Sequence, residues 1–354
     1  MDCGSNAGYR RRMLCAAAVL AAAVTLAPSA SEADSKATGK GLVIGWSQRG
    51  LSGSDWWKTM IAGATAEANK IGAKLIVLDA NGDTTRQNED VQTLITRGAD
   101  VVVINANDPI GVSASIRALK RAGIPVVAVN SNLNPKLVKN IYCYVAEDQS
   151  ATGAKAGRVI AQKALAKWGD KATIKMASIG GFPGDVISDL RFNGFKSGYE
   201  SVMKDHPGVK TVILPMKFGE WKPDKALGPV RDMATANPDL KIIDSLSDVM
   251  QGGIMQGLKE AGVWDKGILM GSYDGGMNAI KEMLDHPAGP LQADASNQPW
   301  DQAVLAIKMA VAGYDKNPTA CPSKTNYVQT VVVTPADAKT YYKPGETYVR
   351  ASTD

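Results

Sequence analysis

From Gly41 onward, short apolar runs alternate with longer segments whose apolar residues recur at helical spacing. Leu42-Val43-Ile44-Gly45-Trp46 is continuous rather than alternating, the pattern of a strand buried on both faces. In the next segment, Met60, Ile61, Ala64, Ala68 and Ile71 share one face, which predicts an amphipathic helix over 57–71. Further strands are predicted at 74–78, 101–105 and 125–129. Helices are predicted over 83–97 and from Pro109 to Gly123, the second opened by proline and stopped by glycine. The units repeat every ~25 to 30 residues, the size of a strand–helix–strand element. A second series follows, with strands at 172–176, 212–214, 240–243, 268–270 and 291–293 and helices over 192–203, 225–234, 251–261 and 277–284. Strand-like residues 142–148 lie between the two series, where the chain changes lobe. A late helix, 300–311, precedes one isolated strand, 327–334. The expected fold class is α/β: two similar doubly wound lobes on parallel sheets, with a crevice between facing strand ends.

The strand ends carry the functional signal. Apolar runs stop at Trp46-Ser47, Asn130-Ser131, Ser247-Asp248, Asp274-Gly275 and Asn297-Gln298. Ligands of open α/β sheets sit at the carboxyl ends of strands. Amides, hydroxyls, a carboxylate and tryptophan there describe a place that holds a small polar molecule.

Composition narrows the class. The chain has 354 residues, 45% hydrophobic and 21% charged, enough for two cored domains. Arg10-Arg11-Arg12, the apolar run 13–26 and the small-residue stretch 27–33 follow the order of a secretory signal peptide, so residues 1–33 are read as a leader. Cleavage after Ser31 or Ala33 fits, and the export route, general or twin-arginine, stays open. Cys15 lacks a lipobox, so no lipid anchor is expected. The formal charge is +5; cleavage after Ser31 removes three arginines and Asp2, leaving 37 Lys+Arg against 34 Asp+Glu, about +3. No basic stripe interleaved with aromatics suggests nucleic acid. Cys3 and Cys15 leave with the leader. Cys143 and Cys321 remain, an even pair in an oxidising compartment, with bonded and free states both open.

Catalytic signatures are missing from the sequence. The two histidines, His206 and His286, each sit in Asp-His-Pro at a helix stop, away from metal-ligand spacing. There is no nucleophile elbow and no Walker loop. Gly180-Gly181-Phe182-Pro183-Gly184 follows a strand and opens a helix, but lacks the lysine and spacing of a phosphate loop. The reading is therefore a non-enzyme without cofactor or metal.

Four motifs carry a resemblance. Asp55-Trp56-Trp57, Ile124-Pro125-Val126-Val127 leading into Asn130, Arg191-Phe192-Asn193-Gly194-Phe195 and Tyr273-Asp274-Gly275 make the chain resemble type I periplasmic sugar-binding proteins of ABC transporters, in particular the ribose-binding branch, over Lys40 to Pro335. The resemblance implies that Ser47 is a polar ligand contact and that Trp56 and Trp57 stand where the family places stacking aromatics. It puts Asn130 and Ser131 where ribose binders carry Asp and Arg. Arg191 becomes the donor to sugar hydroxyls, Trp221 the aromatic of the second lobe, Ser247 the counterpart of a common Asn and Asp274 the carboxylate acceptor. Asn297 replaces a hinge-side Gln. These departures argue against ribose itself while keeping the binding mode. Arg191 and Asp274 nearly cancel in charge, which favours a neutral monosaccharide or polyol.

The implied organisation is a first lobe of 40–146 plus 298–325 and a second of 147–297 plus 326–350. Three hinge segments join them, near Glu147-Asp148, Asn297-Gln298 and 321–327. The implied function is capture by lobe closure and delivery to an ABC permease, by a periplasmic monomer. Presentation of the ligand to a membrane sensor or chemoreceptor is the alternative.

Overall fold

The computed structural model describes residues 38–351 except 53 and 132. The expected leader, residues 1–33, lies outside the described residues. Among them, no helix is long and apolar enough to cross a membrane.

The first series builds β1 (Val43–Gln48), β2 (Lys74–Asp79), β3 (Val101–Ile104), β4 (Val126–Val129) and β5 (Cys143–Ala146). The second builds β6 (Thr173–Gly180), β7 (Lys210–Ile213), β8 (Lys217–Phe218), β9 (Leu240–Ser245), β10 (Leu269–Asp274) and β11 (Leu291–Ser296). Two short strands, β12 (Thr325–Tyr327) and β13 (Val332–Val333), complete the set. The first sheet runs β12-β5-β4-β3-β1-β2, all parallel. The second runs β13-β11-β10-β9-β6-β7, parallel except for β13, with β8 beside β6. Both sheets reverse their winding after the first strand of each series, between β1 and β3 and between β6 and β9. A crevice opens outside the carboxyl ends at such switch points. Helices cover both faces of each sheet. Their apolar stripes close over β3 and β4, which are buried along their whole length, and over the inner strands of the second sheet.

Three differences from the sequence expectation have physical causes. The isolated strand expected at 327–334 is two strands in two sheets, because the chain crosses between lobes at 328–331. That crossing is laced to its neighbours: Val328 N donates to Ala146 O (2.9 Å) and Val331 N to Ser296 Oγ (2.9 Å). Residues 109–112 form turns, held by the Asp108 carboxylate, whose Oδ1 accepts from Ile110 N (2.9 Å), so the helix begins only at Ser113. The long helix Gln149–Trp168 was not foreseen. Its inward face is Gly and Ala rather than large apolar residues, so its period is faint. That same face lets it lie against helix Val186–Met203 at backbone distance: a Cβ on Gly157 would fall 2.0 Å from Phe195 O, and one on Gly153 2.8 Å from Arg191 O.

A disulfide joins Cys143 at the start of β5 to Cys321, ahead of β12. The chain end returns across the hinge. Val349 N donates to Gly275 O (2.8 Å) on the second lobe, and Ala351 N donates to Gln298 Oε1 (2.8 Å) at the second crossing.

Candidate functional site

In the second lobe, four of the sequence-selected residues meet in one buried network. Asp274 ends β10 with φ of 113°, a conformation that strains a side-chain-bearing residue. Its carboxylate offsets that strain with three hydrogen bonds. Oδ1 accepts from Arg191 Nη1 (2.9 Å) and Asn297 Nδ2 (3.2 Å), and Oδ2 accepts from Ser247 Oγ (2.6 Å). Arg191 projects from helix Val186–Met203, held in place by the glycine contacts just described. It also donates from Nε to Gln149 Oε1 (2.6 Å) and from Nη1 to Leu246 O (2.7 Å). Its guanidinium carbon lies 3.9 Å from the Tyr273 ring centroid and 5.9 Å from that of Trp221. Trp221 takes a left-handed φ of 54° and lies on Gly181, where a Cβ would come within 1.9 Å of the indole. Asn297 is fixed in turn by Gln302, whose Nε2 donates to its carbonyl (2.6 Å) and its Oδ1 (3.1 Å).

Electrostatics concentrate beneath this network. Burial alone would depress Arg191, but Asp274, Tyr273 and Glu147 outweigh it and raise its pKa. Burial pushes Glu147 up to about 7, against the pull of Arg191 and the Tyr273 hydroxyl, which donates to its Oε1 at 2.6 Å. Burial and the nearby Asp274 charge raise Asp248 to about 7. Asp244, buried in β9, rises to about 8 for want of solvent. The region therefore holds protons that ordinary carboxylates would have lost at neutral pH.

The first lobe contributes at the ends of β1 and β4. Among the described residues, the hydroxyl of the fully buried Ser47 and the indole N–H of the half-buried Trp56 meet no hydrogen-bond partner. A buried donor left unpaired costs about 1–3 kcal/mol. Trp56 and Trp57 meet edge to face, 4.5 Å between centroids, at the start of helix Asp55–Lys70, which Ser54 caps. Asn130 has a left-handed φ of 57°, and its carbonyl accepts from Tyr144 Oη (2.7 Å). A relay runs behind them. Gln48 Oε1 accepts from Trp46 Nε1 (3.0 Å) and Asn105 Nδ2 (3.3 Å), and Asn105 Oδ1 accepts from Ser131 Oγ (2.8 Å).

The structure thus joins Arg191, Ser247, Asp274 and Asn297 directly, with Trp221 alongside. Ser47, Trp56, Trp57 and Asn130 form a separate first-lobe group. Sequence reasoning missed Gln48, Asn105 and Gln149, and it read Glu147 only as a hinge residue and Tyr273 only as part of a motif. Gln48 follows Ser47 at the same strand end and was within reach of the same rule. Gln149 lay in the helix whose period was faint.

Two lobes with facing strand ends, polar clusters on both and three crossings between them define a two-lobed binding protein. The sequence profile of the periplasmic binding protein domain matches residues 44–316, and the chain belongs to that family, with its type I fold. It is similar to the ribose import binding protein of Bacillus subtilis, 27% identical over 248 residues, 70% of this chain and 74% of the relative. It is also similar to the xylitol-binding protein of Mycolicibacterium smegmatis, 29% identical over 221 residues, 61% and 58% of the two chains. Among solved structures, an ABC transporter solute-binding protein of Mycobacterium smegmatis with bound glycerol is 31% identical with a TM-score of 0.71, covering 88% of this chain and 99% of that one. The binding component of the arabinose ABC transporter of Shewanella sp. ANA-3, bound to L-arabinofuranose, is 27% identical with a TM-score of 0.68, covering 85% and 94%.

Proposed function

We propose that this protein is an exported, periplasmic, monomeric solute-binding protein that captures a neutral monosaccharide or polyol between its lobes and delivers it to an ABC permease. The observation that carries this reading is the Asp274 network. One carboxylate acceptor, one guanidinium, a hydroxyl and an amide converge with their charges already balanced. Hydroxyl groups both donate and accept, and such a set meets both needs without attracting an ion. Trp56 and Trp221, from opposite lobes, offer flat apolar faces to the C–H surfaces of a sugar. Ser47 and Asn130 supply first-lobe polar contacts, and Trp57 supports Trp56 edge-on. A guest touching both lobes selects their closed arrangement. Shifting the lobes from 1:99 to 99:1 takes about 5.5 kcal/mol of differential binding. The relatives point the same way: their names and bound molecules are sugars and polyols.

The test is a thermal-shift screen of pentoses, hexoses and polyols, with sugar acids and amines as charged controls. A true ligand at 100 times its Kd adds about 2.7 kcal/mol of stability. Shifts from the charged compounds alone would overturn the reading.

A further inference from the structure

Arg49 lies outside the Asp274 network, yet its setting is that of a ligand donor. It is the residue immediately after β1, at the carboxyl end of a strand bordering the first lobe's switch point. Its Nη1 donates to Ser131 Oγ at 3.3 Å, and Ser131 is itself fixed by Asn105. Its guanidinium carbon lies 5.5 Å from the centroid of Trp57. The side chain therefore runs across the ends of β1, β3 and β4, beside the aromatic pair. An arginine has five N–H groups. Four of those of Arg49 meet no partner among the described residues. Burial lowers its pKa, and the charge that opposes this comes from Asp185, on the other lobe. Asp185 caps helix Val186–Met203, accepting from Ile187 N (3.1 Å) and Ser188 Oγ (3.0 Å), so its position is fixed as well.

Arg191 is in the opposite condition. Its Nε and Nη1 are engaged by Gln149, Leu246 and Asp274. The freer donor array of the two belongs to Arg49.

We propose that Arg49 is a specificity-determining ligand contact, the first lobe's planar donor to two neighbouring oxygens of the guest. The inference rests on the sugar-binding reading above. A guanidinium matches paired acceptors in a way a point charge does not. Neighbouring hydroxyls, or a ring oxygen with its adjacent hydroxyl, present such a pair. The charge of Asp185 opposes that of the guanidinium, which suits a neutral guest, its hydroxyls accepting from Arg49 and donating towards the second lobe. Ser131 acts as a positioning residue that holds the guanidinium across the cleft.

The experiment is calorimetric titration of the full-length mature protein with xylitol, D-ribose, L-arabinose and glycerol, for wild type, Arg49→Met, Arg49→Lys and Ser131→Ala. Arg49→Met is expected to weaken the best-bound member at least tenfold, with the melting temperature of the free protein unchanged. It should also change the rank order of the panel, whereas a folding defect would weaken every member alike. Arg49→Lys should restore less than half of the loss, and Ser131→Ala should cost about threefold. Should Arg49→Met not fold, the lysine and Ser131 variants carry the test. Wild type binding a panel member while these variants keep affinities within twofold would overturn the role of Arg49 alone. Wild type binding no member would overturn this proposal together with the sugar-binding reading.

Discussion

The Arg191–Asp274 pair holds the fold and, in the proposed function, the ligand, and the two roles separate in a four-protein cycle. The side chains are 5% and 8% exposed and meet at 2.9 Å. Arg191→Met leaves a buried carboxylate without its counter-charge, and breaking such a pair costs about 3–5 kcal/mol. Asp274→Asn leaves the guanidinium with neutral hydrogen-bond partners, Gln149 and Leu246 O, and the charge of Glu147 nearby. The double variant Arg191→Met/Asp274→Asn removes both charges, and neutral replacement of a buried pair is often close to neutral in stability. Urea unfolding followed by tryptophan fluorescence should therefore show the double variant recovering at least half of what Arg191→Met loses. Titration with the best ligand of the screen should show no such recovery. The donor and the charged acceptor are both gone, and a bond to a charged group contributes about 1.5–3 kcal/mol, so all three variants should bind at least tenfold more weakly. A double variant no more stable than Arg191→Met, or one binding like wild type, would refute the reasoning.

The disulfide closes a loop with a sequence separation of 178. Loop-closure entropy for that length is about 5 kcal/mol. Cys143→Ala/Cys321→Ala should lower the urea midpoint markedly, and an unchanged midpoint would refute the entropic account. Stability should fall as pH rises. Glu147 and Asp244 titrate near 7 and 8 when folded but near their ordinary values of 4.5 and 3.8 when unfolded. Between those limits the folded chain holds more protons, so the cost of their burial is absent below about pH 4 and complete above about pH 8. Urea midpoints should be higher at pH 5 than at pH 8.5, and Glu147→Gln should flatten the difference. Gly157→Ala forces a methyl against Phe195 O, so it should cost about 1–3 kcal/mol and loosen ligand affinity by displacing the helix that carries Arg191.

The architecture was legible because both-face burial writes continuous apolar runs such as 101–104 and 126–129, and turns and caps mark their ends. Arg191, Ser247, Asp274 and Asn297 were legible as a set through the resemblance and the strand-end rule. What holds them was not. Gln149 and Glu147 act through tertiary approach, and the approach depends on glycines whose absent side chains leave no periodic trace. The split of 327–334 into two strands was hidden for a related reason. Apolar residues at a crossing look like one strand until their partners are known.

All three crossings lie along one edge of each sheet, where β5 and β12 face the β11 and β13 side. The opposite edges, β2 and β7, stand about five strand spacings away, roughly 24 Å. A rotation of about 10° at the crossings then carries the far rim about 4 Å, over that lever arm. Placing every joint on one side gives the molecule mechanical gain: a small turn at the crossings moves the outer lips by more than a bond length.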